Sequence, residues 1–146
     1  MTARLKRLVF ASILFPAIIV TTIGFYLYNK GPLDVKNSTG IPVTAIELYN
    51  LYSSDSLRTG KKYTDNILVV SGEVFEVSLN AQMQKVILLK TKTDQAFINC
   101  TFEELVDKIK KTDKISIKGI CSGIGQGYPE MEIMGDVYLS RCFLVK

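Results

Sequence analysis

Histidine is absent from the 146 residues. That removes Ser-His-Asp and Cys-His nucleophile arrangements and the commonest zinc chemistry. Cysteine is scarce: Cys100, Cys121 and Cys142 are the whole set, with no C-x-x-C spacing. A three-thiolate zinc site would lack its usual fourth ligand. No glycine-rich stretch ends in Gly-Lys-Ser/Thr, which excludes a P-loop. Charge is missing altogether from the 21 residues Leu8–Tyr28, LVFASILFPAIIVTTIGFYLY. As a helix that run is roughly 31 Å long, enough to cross a hydrocarbon core.

The run predicts a retained transmembrane anchor over 8–28. A cleaved signal would be shorter and would leave through small residues, whereas this run ends in Phe25-Tyr26-Leu27-Tyr28, suited to an interfacial aromatic belt. No cysteine follows it closely enough for a lipoprotein signal. Pro16 would kink such a helix without forbidding it. Arg4, Lys6 and Arg7 lie before the run and only Lys30 closely after it. The positive-inside bias therefore predicts residues 1–7 in the cytoplasm and the C-terminal domain on the periplasmic side of a bacterial cytoplasmic (inner) membrane. The net charge of +4 then belongs to topology. Without those four residues, 14 of the 18 basic residues remain against 14 acidic ones, so the exported part is formally neutral. Nucleic-acid binders instead present a basic face.

Residues 29–42 (NKGPLDVKNSTGIP) read as a linker. Thr44-Ala45-Ile46-Glu47 fits a capping box, with Leu48, Leu51 and Tyr52 on one face and Gly60 at a C-cap position. An amphipathic helix is expected over 45–59, opening a domain over 43–146. The period then falls to two. Strands are expected at Ile67–Ser78, Lys85–Thr91, Ala96–Cys100, Lys114–Gly123 and Val137–Val145. A second capping box, Thr101-Phe102-Glu103-Glu104, predicts a short helix through 101–111. The order β-β-β-α-β-β, in the α+β class, is that of a five-stranded OB-fold barrel, with Gly72 and Gly119 where strands must coil sharply.

The stretches VVSGEVFEV, AFINCTFEE, KISIKGICSG and DVYLSRCFLVK resemble the bacterial tRNA_anti-like OB-fold family over roughly residues 44–146. The resemblance implies a single OB domain, often behind a membrane anchor or lipoprotein signal. It implies no established activity and supplies no functional residues.

Little else points to chemistry. Gly123-Ile124-Gly125-Gln126-Gly127-Tyr128 puts a tyrosine where G-x-G-x-x-G needs its last glycine, and a β-like run follows instead of a helix. Ser122 has no base nearby in sequence. Glu73/Glu76 and Glu130/Glu132 read as solvated carboxylates, and the lysines at 108, 110, 111 and 114 as a solvated face. No catalysis, cofactor or metal is expected. For the thiols three readings stand: buried free groups, a Cys121–Cys142 bridge, or a redox or metal role. Cys121 shares inward parity with Ile115 and Ile117. Cys142 has the opposite parity to Val137 and Leu139, which calls for a bulge near Ser140-Arg141. The candidate ligand face is Lys85, Lys90, Phe97, Gln126 and Tyr128, on the OB surface formed by the second and third strands and the barrel-mouth loops, to which the 80–84 and 124–136 connections contribute. Its expected partner is an envelope protein, a glycan or a small ligand. Single-stranded DNA or RNA is the alternative.

Overall fold

The computed structural model describes residues 16–28, 34–128, 130 and 135–145. The chain falls into two units, Met1–Leu33 and Asp34–Lys146. In the first, residues 16–28 form a helix, α1. The Thr21 hydroxyl donates to the carbonyl of Ala17 at 2.9 Å, so this polar group is satisfied inside an apolar helix. Among the described residues no helix is long and apolar enough to cross a membrane. Residues 8–15 of the uncharged run, the basic N-terminus and linker residues 29–33 lie outside the described residues.

The second unit begins earlier than a linker over 29–42 allows. Ser38 donates its amide to the Asp34 carbonyl at 3.1 Å, and the side-chain and backbone N–H groups of Asn37 both donate to the Asp34 carboxylate, at 2.8 and 3.2 Å, which holds it below its usual range. Val35 is buried, and the Lys118 ammonium donates to the carbonyls of Lys36 and Ser38. This segment is fastened to the domain because it buries an apolar side chain and because Lys118 bonds its carbonyls.

Strand β1 (Ile41–Thr44) lies parallel on β2 (Ile67–Leu79). Between them run α2 (Ala45–Ser54) and α3 (Ser56–Tyr63). The Thr44 hydroxyl caps α2 by accepting the Glu47 amide, as its sequence predicts. The continuous helix over 45–59 does not form. Asp55 leaves helical geometry at φ −153° and accepts the Arg58 amide on its carboxylate, so it ends one helix and caps the next. Gly60 accordingly lies inside α3 and not at a C-cap. Ala45, Leu48, Tyr49 and Tyr52 turn into the same core as the barrel strands.

The barrel strands are β2, β3 (Lys85–Lys90), β4 (Phe97–Phe102), β5 (Lys114–Ile124) and β6 (Val137–Val145). They close in the order β2-β3-β4-β6-β5 with β5 returning to β2, and β4 runs parallel to β6. These five fall within a residue or two of the expected strands. The helix expected between β4 and β5 is not there. Phe102 continues β4 opposite Cys142 and is buried, so Thr101-Phe102 serves the ladder and not a cap. Beyond it, Lys108 and Thr112 take positive φ (73° and 71°), which an α-helix of L-residues does not accommodate. The connection instead lies along β2, with Thr112 N–H on the Val74 carbonyl at 2.8 Å and Val74 N–H on that of Asp113 at 2.9 Å.

The bulge that parity demands in β6 is present. Ser140 pairs with Ile120 and Phe143 with Lys118, leaving the extra residue on the β6 side with Arg141 at φ 52°. Val137, Leu139 and Cys142 can therefore all face inward. Gly119 lies beneath Cys142: a β-carbon there would stand 2.7 Å from the sulfur.

Candidate functional site

A second bulge places an exposed aromatic group on the barrel wall. Val74 pairs with Leu89 and Glu76 with Leu88, so Phe75 is the extra residue of β2 and points outward. Phe97 opens β4 directly opposite Lys90 on β3. The two phenylalanine rings stack with centroids 4.5 Å apart and planes 23° from parallel. Lys111 holds its ammonium 5.9 Å from the Phe75 centroid, within cation–π range. Beside the pair is a hollow of about 640 Å³ lined by Phe75, Lys90, Thr91, Thr93, Asp94, Gln95 and Phe97.

The loop that carries the polar lining is pre-shaped. The Thr91 hydroxyl donates to the Ala96 carbonyl at 2.6 Å and accepts the Thr93 amide at 3.2 Å. Asp136 secures the other side, accepting the Phe97 amide at 2.9 Å while its own carbonyl takes the Gly125 amide at 2.7 Å. Burial pushes the Asp136 carboxyl up, against the opposing pull of the Phe97 N–H. The folded chain thus holds this proton more tightly than the unfolded chain, and the contribution turns unfavourable as pH climbs from the ordinary value of 3.8 through the raised one. Asp136→Asn keeps an acceptor for Phe97 but cannot ionise. Relative to the native chain it gains stability as pH rises across that window, which urea melts at about pH 4 and about pH 7 would read.

Of the residues expected on the ligand face, the structure brings Lys90 and Phe97 together. Lys85 is elsewhere: its ammonium donates to the Val106 carbonyl and lies 3.9 Å from Asp107, fastening the 103–113 connection to β3. Gln126 and Tyr128 are exposed on the β5–β6 connection and do not line the hollow. Phe75, Lys111, Asp94 and Gln95 are additions. A signal for Phe75 was present in the spacing: Val74 and Val77 both turn toward the core although three residues apart, which requires an irregularity between them.

All three thiols are free and buried. The Cys121–Cys142 bridge does not form, because Cys121 pairs across with Leu139 and Cys142 lies over Gly119. Such diagonal neighbours are about 7–8 Å apart, beyond ordinary disulfide reach. Cys121 instead meets the Tyr52 hydroxyl at 3.3 Å, which also contacts the Thr64 hydroxyl at 3.0 Å. Burial raises both the Cys121 thiol and the Tyr52 phenol. The neighbour of Cys142 is Cys100, and the hydrogen bond between their thiols, with burial, holds Cys100 well above its usual value. Groups so shifted are neutral packing elements and poor nucleophiles at physiological pH.

A closed five-stranded Greek-key barrel with this strand order and a parallel contact between its third and fifth strands is an OB-type fold, a class of binding modules. The tRNA_anti-like family model matches residues 1–131, and the chain belongs to that family. No curated protein matches the chain. The family match takes in the whole uncharged run, where the sequence resemblance began only near residue 44.

Proposed function

We propose that this protein is a non-catalytic binding module, anchored in the cytoplasmic membrane by residues 8–28 and presenting its OB domain on the outer side, where the Phe75–Phe97 platform holds a sugar ring of an envelope glycan. The stacked, outward-facing phenylalanine pair beside a polar hollow is the observation that carries the reading. Support for the anchor comes from the uncharged run and the basic residues before it.

The choice of ligand rests on charge. Single-stranded nucleic acid wants aromatic platforms flanked by basic residues free to follow the backbone. Here the Lys90 ammonium is taken by Glu73, the Lys111 ammonium lies over the Phe75 ring, and Asp94 adds a negative charge to the hollow. A carboxylate, an amide and threonine hydroxyls suit the hydroxyl groups of a sugar, whose apolar face can lie on Phe97. Titration of the full chain in nanodiscs with soluble envelope-type oligosaccharides should show binding that Phe97→Ala weakens at least about tenfold, near the low end of what one aromatic stacking contact contributes. Submicromolar oligonucleotide binding that falls steeply with salt would instead establish the nucleic-acid alternative. Protease added to spheroplasts should cut within residues 34–146; full protection would overturn the topology.

A further inference from the structure

A larger hollow, about 750 Å³, lies where one edge of β2 passes from β1 to β3. The β1 ladder ends at Thr44 opposite Ser71, and the β3 ladder begins at Leu89 opposite Val74. Gly72 and Glu73 fall between the two. Gly72 lets the start of α2 come in close, since a β-carbon there would stand 3.0 Å from that of Ala45. The gap left at this handover is floored by Ile46, Ile115 and Leu144 and edged by Lys90, Glu73 and Lys114. It stands apart from the phenylalanine platform, with Lys90 and Thr91 as the wall the two hollows share.

Its surface is unusual in two respects. Ile46 and Leu144 are 48% and 37% exposed, which leaves apolar area in water. The three charged groups do not cancel: Glu73 is paired with Lys90, while Lys114, its cross-strand neighbour, has no acidic partner among the described residues. One positive charge is therefore uncompensated beside an apolar floor. The volume lies in the range of small-ligand sites. A monoanion balances the charge, whereas a doubly charged phosphate ester would bring a surplus negative charge against Glu73.

We propose that this hollow binds an aliphatic carboxylate, with the anion on Lys114 and the hydrocarbon chain over Ile46, Ile115 and Leu144. The test uses the full chain in nanodiscs and decanoate bearing a chain diazirine, with the matching amine and phosphate monoester as comparators. Photolabelling by the carboxylate should map to peptides containing Ile46, Ile115 or Leu144 and should be competed by plain decanoate. Lys114→Glu should lower that labelling at least about tenfold, as expected for losing one charge-assisted contact, and Lys114→Arg should retain it. The Lys114 side chain is exposed, so thermal melts should show both variants folded. Equal labelling by the amine, indifference to Lys114→Glu, or label confined to residues 16–28 would overturn the proposal. Stronger labelling by the phosphate ester would overturn the carboxylate assignment.

Discussion

Phe102→Ala should destabilise the domain by about 3–5 kcal/mol, the usual cost of deleting a buried aromatic ring. Phe102 is among the largest fully buried side chains, and it sits at the point where β4 meets the bulged part of β6. The void would adjoin Cys142, whose sulfur already lies tight over Gly119, so there is little scope for the site to collapse. A domain this size has about 5–15 kcal/mol in total, and each kcal/mol lost lowers its Tm by roughly 4 °C. Phe102→Leu fills most of the void and should cost much less. Were 101–111 a surface helix, with Phe102 in its first turn, the alanine variant would instead melt within about 1 kcal/mol of the native chain. Urea melts of the two variants separate these outcomes.

The same residue shows what was legible in the sequence. The five barrel strands could be read because each alternates inward and outward residues over several positions, and the β6 bulge followed from the parity of Cys142 against Leu139. Thr101-Phe102-Glu103-Glu104 satisfies the local rule for a helix start. The burial of Phe102 opposite a strand 40 residues later outweighs that preference. Asp55 was a helix-capping residue in plain view, but Leu51 and Tyr52 before it and Gly60 after it favoured one long helix over two short ones.

At the candidate site, Lys90 and Phe97 were legible as a basic and an aromatic residue on the strands of an OB face. The contacts of Lys85 were not legible, because they depend on where the 103–113 connection lies, and that route is set by pairing with Val74. Phe75 escaped for a related reason. A bulge changes which face a residue takes without altering the composition of the run that contains it. The hollow beside β1 had no sequence signal, since it exists only where two separate ladders leave Gly72 and Glu73 between them.

Leu48→Ala tests whether the helices belong to the barrel or merely precede it, and about 2–5 kcal/mol should be lost. Leu48 is fully buried on α2, in the same core as Leu68, Val70 and Ile98. The junction after α3 is tied to β5 through backbone: Asp65 N–H donates to the Cys121 carbonyl at 2.8 Å, and Cys121 N–H to that of Asn66 at 3.0 Å. Tyr52 adds a side-chain contact to the same cysteine. Helix and strand therefore share one cooperative unit, and the loss should appear throughout it. Native-state hydrogen exchange should quicken at the β5 amides of Ile117 and Cys121 as well as in 45–63, with a single coincident unfolding transition. Faster exchange confined to 45–63 would make α2 and α3 an accessory layer. The core of the module would then be the barrel alone, closed by the pairing of β2 with β5.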